Sequence, residues 1–123
     1  MIKINSAAAS VMRTIIALLG SRDYVKIDNA PGTYTPVSVD RLGANRFSVA
    51  HNTILNGDVM ADPDIVFERR GLEFYAVECT QSYVGSYTDG TRDTRAQRSI
   101  TDLANILLVN IREQQFANVR KVG

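Results

Sequence analysis

The sequence predicts an α+β fold: an antiparallel meander sheet of four to five strands, flanked by an N-terminal and a C-terminal helix, spanning residues 1–123 as one domain. Three observations lead there. Apolar residues recur at helical spacing near both ends of the chain. Between them, from Asp23 to about Tyr87, short β-branched and aromatic runs are punctuated by turn residues. These runs follow one another directly, whereas a parallel crossover needs about a dozen residues, so neighbouring strands must pair antiparallel.

The elements follow in order. Ser6 is placed to cap a first helix running to about Leu19, with Gly20 as its stop. Ala8, Val11, Met12, Ile15, Leu18 and Leu19 form one apolar stripe, opposite Ser10, Arg13, Thr14 and Ala17, so this helix lies on a core. The strand-like runs are YVKID, YTPVSVDRL, RFSVAHNTIL, DVMADPDIVFE and LEFYAVECTQSYV, separated by APG, GAN, NG and RRG. Gly43, Gly71 and Gly90 read as turn glycines, and GSYTDGTRDT reads as a loop.

A second helical pattern runs from about Arg95 to Asn118 and turns Ala96, Ile100, Leu103, Ala104, Leu107 and Ile111 toward the sheet. Ile106 and Val109 project roughly opposite that stripe, among Asp102, Asn105 and Glu113. Two large aliphatic side chains on a solvent face call for a cover. The first helix has one strong stripe, already committed to the sheet. The expected cover is therefore a partner protein or a second copy of the chain, the latter giving a homodimer through the C-terminal helix.

A 45% hydrophobic, 22% charged composition is that of a globular protein, and 123 residues suffice to bury a core without disulfide or metal staples. No cofactor is implied. Fourteen Lys and Arg against thirteen Asp and Glu leave no global field to hold a polyanion, which argues against nucleic-acid binding. The local exception is Arg92, Arg95 and Arg98 at the entry to the second helix, either a solvated face or a contact for an acidic partner. The lone Cys79 excludes an internal disulfide, reads as a buried structural thiol and fits a cytoplasmic protein. At the N-terminus the small residues precede the apolar run and Arg13 interrupts it, the reverse of a secretion signal. No stretch approaches the roughly 18 apolar residues of a membrane span.

The segment AHNTILNGDVMADPDIVF holds the single histidine and three aspartates within a strand-forming context. Asn56-Gly57 is a strong hairpin signal, because a type I′ turn needs positive φ at both central residues. With these two as the loop, Leu55 faces Asp58, Thr53 faces Met60 and His51 faces Asp62. Pro63 lacks an N–H, and a bulge at Asp62-Pro63 would switch parity and turn Ile65 and Phe67 toward the face of Phe47. His51 beside Asp62 would be held in one tautomer and be easier to protonate. That serves either general acid–base chemistry or the register of the sheet.

A divalent cation held by Asp58, Asp62 and Asp64 with His51 is chemically admissible, but the spacing matches no calcium loop. A nuclease pattern is half present: Pro63-Asp64 precedes a strand carrying Glu78, and Thr80 stands where the catalytic lysine would be. No metal requirement is expected. There is no nucleophile elbow, Walker or Rossmann pattern.

The run Ala50-His51, Asn56-Gly57-Asp58, Met60 and Asp62-Pro63 resembles a family of uncharacterised short domains encoded on phages, plasmids and conjugative elements. Gln81, Tyr83 and Gly85 resemble that family's Q-x-aromatic-x-G, and Asn110-Ile111-Arg112-Glu113-Gln114-Gln115-Phe116 resembles its closing helix. Asn52 and Leu55 stand where the family commonly has an aromatic and a polar residue. The resemblance implies genomic company rather than chemistry. The expectation is a non-enzymatic, cytoplasmic, protein-binding accessory of a phage or mobile element. Its target would be a host defence component, as for an anti-CRISPR. The alternatives are a small metal-dependent hydrolase or nuclease using His51 with Asp58, Asp62 or Asp64, and a structural or assembly dimer.

Overall fold

A computed structural model describes the backbone of residues 2–29, 36–55, 58–82, 85–114 and 119–122, and the side chains of 2–28, 36–52, 62–82 and 85–114. The order is α1 Ser6–Leu19, β1 Tyr24–Asn29, β2 Val37–Gly43, β3 Arg46–Leu55, β4 Asp58–Arg70, β5 Glu73–Gln81, β6 Ser86–Asp89, α2 Thr94–Gln114 and β7 Val119–Val122. The strands form one antiparallel sheet in the order β6-β5-β4-β3-β2-β1-β7. The α+β meander between two helices is thus present, with more strands than the four to five predicted.

The additional strands have simple causes. β6 lies inside the segment read as loop, and its four residues are too few to show an alternation. β7 follows α2 and pairs with β1, Lys26 opposite Val122 and Asn29 opposite Val119, a partnership no local pattern marks. The second helix is described to Gln114 rather than the predicted Asn118; residues 115–118 lie outside the described residues, as do the APG turn and Tyr83. The first helix is capped by Asn5, not Ser6: the Asn5 side chain accepts from the Ala8 amide at 2.8 Å, and Ser6 is the first helical residue. Asp93 does the same for α2, accepting from the Ala96 amide at 2.7 Å.

Both helices pack on one face of the sheet and against each other. Alternation in β1, β2 and β3 sends Val25, Ile27, Val37, Val39, Phe47 and Val49 to that face, where Met12, Ile15, Leu108 and Ile111 meet them. The fully buried Phe47 ring carries two guanidiniums, Arg41 and Arg69, each 5.4 Å from its centroid. Arg41 also donates to the carbonyls of Gly20 at 2.7 Å and Arg22 at 3.3 Å, tying the end of α1 to β2.

Two residues of the α2 region do structural work unmarked by periodicity. Gln97, 2% exposed, accepts from the Ile2 amide at 2.8 Å and donates to the Ile2 carbonyl at 2.7 Å and to Thr101 Oγ1 at 2.8 Å. Gly90 is a packing position rather than a turn requirement: a Cβ there would collide with Ile100 Cδ1 and sit 3.0 Å from the Ala76 carbonyl. Gly71, with φ 63°, is the turn glycine its sequence suggests.

Candidate functional site

The β3–β4 hairpin has the predicted register. Leu55 pairs with Asp58 and Thr53 with Met60, as a two-residue connection requires; Asn56 and Gly57 themselves, and the side chain of Asp58, lie outside the described residues. The ladder then passes from Asn52 opposite Ala61 to Ala50 opposite Asp64. One residue on β3, His51, therefore stands opposite two on β4, Asp62 and Pro63, joined by a cis peptide. Beyond this bulge Val49 meets Ile65 and Phe47 meets Phe67, so both apolar residues enter the core and Asp64 turns to the opposite face.

His51 pairs in register with Val37, which places it on the helix-covered side, at the end of the core row. There α2 passes over the bulge. Between them is a groove of about 140 Å³ whose lining includes His51, Pro63, Leu103, Ile106, Asn110 and Gln114. The hairpin histidine and the outer strip of the second helix, separate features in the sequence, are thus neighbours. Ile106, 59% exposed, forms the rim; Val109, half-buried, lies off the groove. Small-molecule and cofactor sites run to roughly 300–1,000 Å³, so this groove has room for about one side chain.

Asp64 belongs to a different surface, the sheet face away from the helices. Ser48 Oγ donates to Asp64 Oδ1 at 2.6 Å, and Asn52 Nδ2 to Ser38 Oγ at 2.8 Å. Asp40 is paired in register with Ser48. Burial, and secondarily the negative charge of Asp64, hold the Asp40 carboxyl above its ordinary value. Glu78 lies on the same face, engaged by Arg46 Nη2 at 2.7 Å and by the Tyr87 hydroxyl at 2.8 Å.

The half-present nuclease pattern thus places Asp64 and Glu78 on adjacent strands. Among the described residues no group of three His, Cys, Asp or Glu side chains is arranged to hold a metal ion. Cys79 is buried in the core, and its thiol is pushed up to about 11, first by burial and then by the charges of Asp62 and Asp64. At the start of α2, Arg92 pairs with Asp93 at 3.3 Å, while Arg95 and Arg98 edge a broad shallow depression with Thr94, Ser99 and Asp102.

Residues 6–117 match the family described as Domain of unknown function (DUF6908). The chain belongs to DUF6908. The match begins with α1 and runs past the end of α2, so the DUF6908 segment contains both the groove and the polar sheet face, while β7 lies beyond it. No curated protein and no solved structure matches the chain. Among the described residues of this DUF6908 chain, no helix is long and apolar enough to cross a membrane.

Two features of the site were not singled out from sequence. The polar face around Asp40 and Ser48 was legible in principle, since Ser38 and Asp40 alternate with Val37 and Val39, and Ser48 and Ala50 with Phe47 and Val49. The groove was not, because it depends on how α2 crosses the bulge.

Proposed function

We propose that this DUF6908 chain is a non-enzymatic protein-binding module that docks a partner through the outer side of α2, the partner inserting one aliphatic side chain into the groove beside Ile106. The observation that carries this reading is convergence. His51, Pro63, Asn110, Ile111 and Gln114, all within the runs that carry the sequence resemblance, line one groove with the exposed Ile106. Its volume suits a side chain better than a cofactor. Arg95 and Arg98, farther along α2, extend the contact toward acidic groups of the partner.

The wider reading is of a cytoplasmic accessory protein of a phage or mobile element, whose partner is a host defence component, as for an anti-CRISPR or another anti-defence protein. The hydrolase or nuclease alternative, with His51 and the Asp58, Asp62 and Asp64 cluster, draws no support from the described geometry, because His51 lies on the helix-covered side of the sheet and Asp64 on the opposite face.

The test compares the chain with Ile106→Lys in affinity capture from host lysate and in sedimentation. One stoichiometric host protein captured by the parent and lost with Ile106→Lys supports the reading. A parent dimer that Ile106→Lys converts to a folded monomer supports the same surface with a second copy as occupant. A monomeric parent that captures nothing, or a capture unaffected by Ile106→Lys, overturns it.

A further inference from the structure

The sheet face opposite the helices is a second surface, and no described helix or strand covers it. Its middle strand, β3, presents small side chains: Ser48 and Ala50 are 7% and 4% exposed. On one flank Asp40 of β2 stands beside Ser48, and on the other Asp64 of β4 stands beside Ala50. The result is a strip of small side chains along β3 with a carboxylate on either flank, the Asp64 carboxylate leaning over the strip to accept from Ser48 at 2.6 Å.

The charge around the strip is unbalanced in the same direction. Glu78 and Asp89 lie toward β6 with Arg46 answering Glu78, whereas Asp28 on β1 has Lys26 beside it and stands in register opposite Arg120 of β7. Tyr24, 41% exposed, and Tyr87, 61% exposed, stand on β1 and β6 of the same face. Exposed tyrosines flanking a polar centre are a recurrent arrangement at protein interfaces, where aromatic residues are enriched. The Asp40 carboxyl is held above its ordinary value first by burial and then by the charge of Asp64, and a cation between the two carboxylates would offset the second cause.

We propose that this helix-free face docks a lysine- or arginine-rich segment of a partner protein, one cationic side chain lying along β3 over Ser48 and Ala50 between Asp40 and Asp64. The occupant follows from charge complementarity: the chain as a whole carries a net charge of +1, yet the described side chains of this face include more carboxylates than cations. The inference is independent of the α2 groove, since the two surfaces lie on opposite sides of the sheet.

The test is an NMR titration of the full chain with a short lysine- and arginine-rich peptide, with an acidic peptide of equal length as control. The expected result is amide shifts concentrated at Ser38, Asp40, Ser48, Ala50 and Asp64. Affinity should fall about tenfold in the Asp40→Asn, Asp64→Asn double variant. Asparagine at 64 keeps an acceptor for Ser48, and if the double variant fails to fold, Asp40→Asn alone provides the comparison. Shifts spread evenly over the surface, equal binding of the acidic peptide, or wild-type affinity in the asparagine variants would each overturn the proposal.

Discussion

Leucine substitutions at Phe47 and Phe67 isolate the contribution of the two guanidiniums. Both rings are fully buried and face each other in register on β3 and β4, so truncation to leucine costs each a comparable amount of packing. Only at Phe47 does the change also remove the described contacts to Arg41 and Arg69, each at 5.4 Å from the ring centroid. Both arginines are half-buried, so each contact contributes about 0.5–1 kcal/mol. Phe47→Leu should therefore be about 1–2 kcal/mol more destabilising than Phe67→Leu. Urea unfolding followed by circular dichroism gives both values, provided the slopes agree with the parent's. Adding Arg41→Met and Arg69→Met in a double-mutant cycle should return coupling to Phe47 and none to Phe67. Equal costs for the two leucine variants, or zero coupling at Phe47, would refute the cation–π account and leave Arg41 acting only through its bonds to the end of α1.

Three further outcomes are expected. Gly90→Ala should cost about 1–3 kcal/mol through collision with Ile100, and Ile100→Val, which removes the Cδ1 concerned, should restore part of it; strictly additive losses would show that the site accommodates a methyl group. The Asp93 carboxyl is held below its ordinary value chiefly by the Ala96 amide, so its contribution is present above the unfolded value of 3.8 and lost as pH falls through the folded one. Asp93→Ala should accordingly fray the start of α2 and flatten the acid limb of the stability profile, read by circular dichroism across pH. Cys79 should resist a thiolate-specific reagent at neutral pH until urea unfolds the chain. Its folded value of about 11 lies above the unfolded 9.0, so its contribution to stability is intact below about 9 and fades as pH rises toward 11.

The hairpin was the most legible part of the molecule, for reasons specific to its residues. Asn56-Gly57 set the spacing of the ladder. Pro63, unable to donate, marked the bulge, and the need to bury Phe67 beside Phe47 fixed which way parity switched. Local chemistry there determined a non-local outcome. The α1 boundary was off by one residue because Asn5 and Ser6 are adjacent and both residue types are good caps. β6 and β7 went unread because four-residue strands are defined by their partners rather than by their own pattern. The site shows the same division: His51 and Ile106 were each visible, whereas their meeting across a groove depends on the path of α2 over the bulge.

The pairing of β7 with β1 also bears on how the chain must be handled. Until residues 119–122 arrive, the backbone groups of Lys26 to Asn29 that β7 engages form an open edge, available to any other extended chain. At the other end of the molecule Ile4 donates to the Phe74 carbonyl and Ile2 is clasped by Gln97, ties made across most of the polypeptide. Contacts so distant along the chain form late and close large loops. A form shortened before Val119 would keep its core side chains yet leave a templating edge uncovered, and its failure would appear as aggregation at β1 rather than as loss of helix.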